Sequence, residues 1–524
     1  MSFDERLRTW ACDVPANSFP VNKSHLGPLI LNRLKLWKKD KIVEIHDDKD
    51  VLLTVREILD GSIAAASSFT SLGLGNDDIV LFLTDMEVTT SRMIYGCVIS
   101  GAAFCVYDVA DTANLNVEQF IVMLSPKIIV TDDRYYAEIT CLTEKYPCLK
   151  YVIASSMVED VLLKPVNAFD IPKYSKEPIN TVGAYVYTSG TTGPPKAIKI
   201  SHSVFIDTLM NRFWDFDEGS HIYSPAGLRW ISQVVMLFIP ALHGFTKTHS
   251  KQHATPENIL KIVEKRKLTQ VFMAPNILPL MVRDKSFGKY DISSWKLLLI
   301  AGEPIPDNYK QEFLKCIPHI TIIDTFGATE TAGGITFNGR ICPGINVKVL
   351  DKVERNVGPN EDGSVFIKTL QTPLLGYLNN EVGNRKSFDQ DGWYRTGDYG
   401  RVTSEGLLQI HSRETDLILH ENTFAYPKMI QEIATNHPYV HSACVVTNHK
   451  VFGCFMAIED DVKRKLSCTE VKEELSNYFK EKGLSSIIRL YVVDKIKTIT
   501  TIWKMDFAYY ERILTNDKYL NNLL

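Results

Sequence analysis

Short, nearly all-apolar runs alternate along this chain with longer amphipathic stretches, a pattern that marks repeated strand–helix–strand units. In the first 180 residues, Asp78-Ile-Val-Leu-Phe-Leu-Thr84, Ala103-Phe-Cys-Val-Tyr107, Lys127-Ile-Ile-Val-Thr-Asp132 and Tyr151-Val-Ile-Ala154 read as buried strands, with a helix over residues 88–100. Val182-Gly-Ala-Tyr-Val-Tyr187 reads as a further short strand. The pattern resumes with Leu268-Thr-Gln-Val-Phe-Met-Ala274, Trp295-Lys-Leu-Leu-Leu-Ile-Ala301 and Ile320-Thr-Ile-Ile323, a second block of the same kind. Strands this apolar are covered on both faces, so the predicted fold class is α/β: two doubly wound subdomains with mainly parallel sheets.

The texture changes at Val347. Shorter strands separated by turns such as Pro359-Asn-Glu-Asp-Gly363 and Asp389-Gln-Asp-Gly392 predict a small β region that completes a large N-terminal domain, residues 1–412. Residues 413–524 predict a small α+β domain. Its expected elements are helices near 428–435 and 469–482 and strands near 442–446, 453–458 and 490–493.

A chain of 524 residues exceeds one ordinary core. Its 58 basic and 62 acidic residues give a net charge of −4 with no long basic run, which argues against nucleic acid as a partner. Ten cysteines without a C-x-x-C pair fit reduced thiols better than disulfides or a zinc site. No secretory signal or membrane-spanning run is visible. The run Gln233-Val-Val-Met-Leu-Phe-Ile-Pro-Ala-Leu242 has the length of a buried helix. The chain ends Asn521-Asn-Leu-Leu524, not S-K-L, so a cytoplasmic or peroxisomal location stays open.

The richest chemistry lies in Tyr187-Thr-Ser-Gly-Thr-Thr-Gly-Pro-Pro-Lys196. Gly190 and Gly193 let the backbone bring N–H groups close to an anion, Thr188, Ser189, Thr191 and Thr192 add hydroxyls, and Lys196 adds a point charge. This is a phosphate-binding composition at a strand end, although its spacing is not that of the NTPase P-loop. An ordinary Gly/Thr/Pro surface loop is the plainer alternative.

The segment resembles the signature loop of the adenylate-forming superfamily: acyl- and aryl-CoA synthetases, adenylation domains of peptide synthetases and beetle luciferase. Three further segments match that family in order. Leu297-Leu-Leu-Ile-Ala-Gly-Glu-Pro304 resembles the stretch whose backbone lies along adenine, implying roles for Gly302, Glu303 and Pro304. Asp324-Thr-Phe-Gly-Ala-Thr-Glu-Thr331 resembles Q-G-Y-G-x-T-E-T. There the resemblance implies contacts from Asp324 and Thr325, adenine stacking by Phe326, an α-phosphate contact from Thr329 and a Mg²⁺ ligand in Glu330. Trp393-Tyr-Arg-Thr-Gly-Asp398 resembles Y-R-T-G-D, implying that Asp398 accepts both ribose hydroxyls. Arg413 matches the hinge arginine, which places the domain boundary near 413–416.

The resemblance implies an ATP-dependent acid–CoA ligase using ATP, Mg²⁺, CoA and a small carboxylic acid, fatty or aryl, with no obligate protein partner. Lys196, Thr329, Glu330 and a C-terminal lysine, Lys504, are the catalytic candidates. The match weakens in the C-terminal domain. Around Lys504 the family's glycine is Trp503, the residue two after Arg413 is Thr415, and the hinge lysine and glycine are Leu419 and Asn422. Ser364 stands where the family commonly has Glu, and the strands between 445 and 458 are joined tightly. Adenylation without thiolation and a nucleotide-binding pseudoenzyme are therefore the alternatives. Ser224-Pro-Ala-Gly-Leu-Arg-Trp-Ile-Ser-Gln233 occupies the acyl-gate position and most resembles insect luciferase-like acyl-CoA synthetases; Trp230 as gate and Arg229 as anion contact are balanced by core and surface roles.

Overall fold

The computed structural model describes the whole chain except residues 1, 6–7, 13–14, 16–17, 110–115, 167–168, 189–195, 213–218, 285, 304–305, 422, 500–503 and 516–524. Its frame is a pair of stacked sheets. In the first, the strand order is Lys196–Ser201, Val182–Thr188, Ala103–Tyr107, Ile79–Leu83, Ile128–Thr131, Tyr151–Ala154, parallel throughout except for the 182–188/196–201 edge hairpin. In the second it is Arg340–Ile341, Gly333–Phe337, Thr321–Ala328, Leu297–Ala301, Gln270–Met273, His221–Tyr223, Thr246–His249, Ile42–His46, Val51–Thr54, parallel in the middle and antiparallel at both edges.

With one exception at 320–323, the predicted strands stand within a residue or two of their expected bounds, and the helix expected over 88–100 is Thr90–Ile99. Three readings need correction. Ile42–His46 and Val51–Thr54 come early in the chain but join the second sheet, so the N-terminal stretch is not confined to the first block. The β region starts at Ile345 and takes in Ser2–Asp4 and Thr9–Ala11 as edge strands beside Ile345–Leu350, Gly363–Thr369, Tyr394–Val402 and Leu408–Arg413. The strand expected over 320–323 continues to Ala328, so most of the Asp324–Thr331 motif is sheet.

The largest apolar cluster fills the layer between the two sheets. It joins Val80, Phe82, Phe104 and Val106 of the first sheet to Val43, Leu53, Ile222 and Leu299 of the second through buried helices. Among these is Ile231–His243, the predicted buried helix. It is apolar around its circumference, and it stops where Gly244 takes the left-handed conformation (φ 71°) that a residue with a Cβ adopts only with strain. Helix Val55–Ser71 begins with a reciprocal capping box between Thr54 and Glu57.

Residues 418–514 form two clusters of their own around the three-stranded sheet Val440–Thr447, Phe452–Ile458, Ile488–Val493, flanked by helices Pro427–Thr435, Cys468–Glu481 and Phe507–Thr515. Among the described residues, no helix is long and apolar enough to cross a membrane.

Candidate active site

In parallel sheets, functional loops lie beyond the carboxyl ends of the strands, and the segments Gly302–Glu303 and Thr329–Thr331 follow two such strand ends. The strand Thr321–Ala328 delivers the single turn Thr329–Thr331, whose exit is fixed by the left-handed Ala332 (φ 58°). Gly327 explains part of that motif: a Cβ at this position would lie 2.5 Å from the Gly333 carbonyl oxygen, where the partner strand crosses at a bulge. Thr331 is committed internally, donating to the carbonyls of Ala328 and Gly333. The carbonyl of Thr331 accepts from Arg212, which is in turn held by Asp207 in an ion pair buried within 4% exposure on both sides. The turn is thus fastened from beneath, while no bond is made by the Thr329 hydroxyl among the described residues.

Glu330 is gripped by phenols rather than by cations. Tyr377 donates to its Oε1 at 2.7 Å, and the Tyr394 phenol lies close enough to interact with the same carboxylate. Burial, reinforced by this carboxylate, raises the pKa of both tyrosines, so both stay neutral donors. The ring of Tyr377 has a second role: the Lys196 ammonium lies over it, 5.0 Å from the centroid, and no ion-pair partner holds that ammonium among the described residues. Lys196 opens the strand that pairs with Thr188, so the loop that links them springs from this point. Ser189, Gly190, Thr191, Thr192 and Gly193 lie outside the described residues, as does Pro304, and only the backbone of Thr188 is described.

Asp398 and Arg413 are direct cross-strand partners, with Arg413 Nη1 3.2 Å from the carboxylate and 3.0 Å from the Thr396 carbonyl. Asp398 is only 6% exposed; burial pushes its pKa up to about 6, with Arg413 and Thr396 opposing. Gly302, with φ 108°, turns the chain out of Leu297–Ala301 ahead of Glu303. Three candidates have prosaic surroundings. Asp324 forms a 2.7 Å ion pair with Lys310, Phe326 packs against the β-region core, and the Thr325 hydroxyl is buried without a partner.

The C-terminal candidates Lys504 and Leu419 sit on two short hairpins. The backbone of Lys504 pairs with Ile499 in the two-stranded ribbon Thr498–Ile499/Lys504–Met505. Trp503 and Asn422 lie outside the described residues. Leu419 is 58% exposed on the Ile418–His420/Thr423–Ala425 hairpin, and the Thr415 carbonyl bonds to His449 of the same unit at 2.9 Å.

Sequence reasoning missed both tyrosines. Tyr394 stands inside a motif read only for its aspartate, and Tyr377 has no motif around it, so only its contact with Glu330 reveals it.

The described residues thus bring together the Lys196 ammonium over the Tyr377 ring and the Glu330 carboxylate bonded to the Tyr377 hydroxyl, with the buried Asp398 carboxylate paired with Arg413. The chain belongs to the AMP-binding enzyme family, whose model matches residues 36–378. It is similar to 2-succinylbenzoate–CoA ligase of Bacillus licheniformis, 25% identical over 86% of this chain and 94% of that one. It is also similar to luciferin 4-monooxygenase of Photuris pensylvanica, 22% identical over 87% and 86% respectively. The crystal structure of the anthranilate CoA ligase AuaEII in complex with anthranoyl-AMP superposes with a TM-score of 0.82 at 18% identity, covering 96% of this chain and 99% of that one. That likeness concerns the fold, which is that of adenylate-forming enzymes.

Proposed function

We infer that the protein activates a small carboxylic acid with ATP, forming an acyl-adenylate and releasing pyrophosphate, and then transfers the acyl group to CoA. The observation that carries this reading is the Lys196–Tyr377–Glu330 arrangement: a cation without an ion pair among the described residues, over the ring of a tyrosine whose neutral hydroxyl donates to a carboxylate.

The chemistry needs little from the protein beyond position and charge. An oxygen of the acid's carboxylate forms a bond to the α-phosphorus while the bond from that phosphorus to the bridging oxygen breaks, and pyrophosphate leaves. Lys196 supplies positive charge to the departing phosphates, and the Thr329 hydroxyl is available to donate to the α-phosphate. A divalent cation fits Glu330, because Tyr377 and Tyr394 fix the carboxylate without neutralising it; bound there, Mg²⁺ would offset the phosphate charge. Asp398 suits a ribose diol, since two carboxylate oxygens accept two hydroxyls. Lys504 is proposed as the lysine that answers charge in the transition state. Residues 1–412 are proposed as the domain that carries the nucleotide site and 413–524 as the smaller domain that closes on it.

Adenylation without thiolation is the second reading. The observation favouring it is Leu419, an apolar side chain exposed on the hairpin where the family carries lysine.

The test is carboxylate-dependent exchange of labelled pyrophosphate into ATP, with and without CoA. Exchange plus thioester and AMP establishes the ligase; exchange without thioester establishes the second reading. No exchange with any acid, while ATP still binds, overturns both.

A further inference from the structure

Along the second sheet, neighbouring strands end in turn at Thr329–Glu330, Gly302, Asn276, Ser224 and His249. The first two belong to the nucleotide side. Beyond them the row is strangely polar for a core. Asn276 is 6% exposed, and neither its amide nitrogen nor its oxygen has a hydrogen-bond partner among the described residues. Ser224, 7% exposed, accepts from Gln233 Nε2 at 2.7 Å, which turns the Gln233 carbonyl toward Lys247 Nζ at 3.5 Å.

Lys247 is the anomaly. It is 2% exposed, in the layer between the sheets beneath helix Ile231–His243, and that long contact with Gln233 is its one hydrogen bond among the described residues. Its cross-strand neighbour Glu44 acts on it through space but accepts a 2.6 Å bond from His46. The remaining facing groups are His46 and His249, and burial holds His249 well below the usual imidazole range, so it is neutral. Burial lowers the Lys247 ammonium to about 8, which leaves it mostly charged at neutral pH. A buried ammonium kept for stability is paired and fully hydrogen-bonded, whereas this one has donors to spare. The same helix touches the nucleotide side: a Cβ at Gly333, next to the Thr329–Thr331 turn, would lie 3.9 Å from Val235.

We propose that Lys247 receives a second carboxylate at the far end of the acid, so that the substrate class is dicarboxylic acids. This rests on the adenylating reading of the site. Ser224 and Asn276 supply further polar contacts along the same row, and the nucleotide end takes the reacting carboxylate.

The test compares length-matched acids ending in methyl or in carboxylate, by pyrophosphate exchange and by the shift in unfolding temperature that each acid produces. The wild type is expected to favour the dicarboxylate by about tenfold or more in kcat/KM, and Lys247→Met to abolish or invert that preference. Lys247→Gln, which keeps hydrogen bonding without charge, is expected to behave in the same way and covers the case in which the first variant fails to fold. A preference for methyl-ended acids in the wild type, or a ratio unmoved by either variant, overturns the proposal. So does a variant that is merely less stable with an unchanged ratio. If no acid supports exchange, the adenylating reading fails by itself; the unfolding-temperature shifts then decide Lys247, a dicarboxylate-specific shift lost in the variants supporting it and its absence refuting it.

Discussion

Asp398 couples burial to pH in a way that can be measured. Its folded-state pKa lies near 6, above the ordinary 3.8, because burial penalises the charge more than Arg413 relieves it; Glu414 and Glu330 add like charge. The sign for stability follows: the protonated form is favoured by folding, so this contribution is present below 3.8 and is lost as pH rises through about 6. Ribose binding has the opposite sign, since only the ionised form accepts two hydroxyls. The kcat/KM for ATP is therefore expected to fall about tenfold per pH unit below about 6. Asp85, another carboxyl raised to about 6 by burial and by its bond to Asp108, titrates in the same range, so Asp398→Asn decides the origin. The variant should be weaker throughout and should lose the break; a break that persists assigns it to Asp85. Glu330 gives a second measurement. Tyr377→Phe removes a charge-assisted hydrogen bond that is worth about 1.5–3 kcal/mol. It also keeps the ring beneath Lys196, so the expected loss in exchange rate is about ten- to a hundredfold, with a raised requirement for Mg²⁺. An unchanged Mg²⁺ dependence would remove Glu330 from the metal's surroundings.

The elements that carry the site were legible to different depths, and the reason is range. The strand 182–188 and the buried helix 231–243 are local patterns of hydrophobicity, readable within about ten residues. Pairing across a sheet is not: nothing in Ile42–Thr54 says that it lies beside Thr246–His249, some two hundred residues later. For the same reason the partners of Glu330 were hidden, because Tyr377 meets it through the fold and not through spacing. The motif's glycine shows what the spacing did encode. Gly327→Ala would force a Cβ to within 2.5 Å of the Gly333 carbonyl, a backbone atom that cannot swing aside, so the bulge and the Thr329–Thr331 turn must shift together. The expected outcome is a destabilisation of about 2 kcal/mol or more, seen in denaturant unfolding, with exchange activity falling further than stability alone explains. A variant with wild-type stability would mean that the strand can slide at the bulge.

At the scale of the whole molecule, the C-terminal unit meets the rest through ring contacts of Phe424 with Tyr399 and of Tyr426 with His411, the Lys352 ammonium over the Phe424 ring, and a set of polar contacts. Asn308 donates to the Thr435 carbonyl at 3.3 Å, the Ala443 amide donates to the Tyr309 hydroxyl at 3.3 Å, and Arg283 reaches Asp460 at 3.2 Å. These polar contacts were not readable in the sequence, since each joins residues more than a hundred positions apart. The proposed function makes different demands on this unit in its two half-reactions, assigning Lys504 to adenylation and the hairpin around Leu419 to thiolation. Lys504→Ala should therefore reduce the exchange rate by about a hundredfold while ATP binding, measured by calorimetry, changes little, because the charge acts mainly as the transition state develops. Equal losses in both would mark a structural lysine. Leu419→Lys restores a cation on an exposed hairpin, where it costs little stability, and should raise CoA-dependent thioester formation without altering exchange in the absence of CoA. An increase in both, or in neither, would show that the hairpin does not limit the second step.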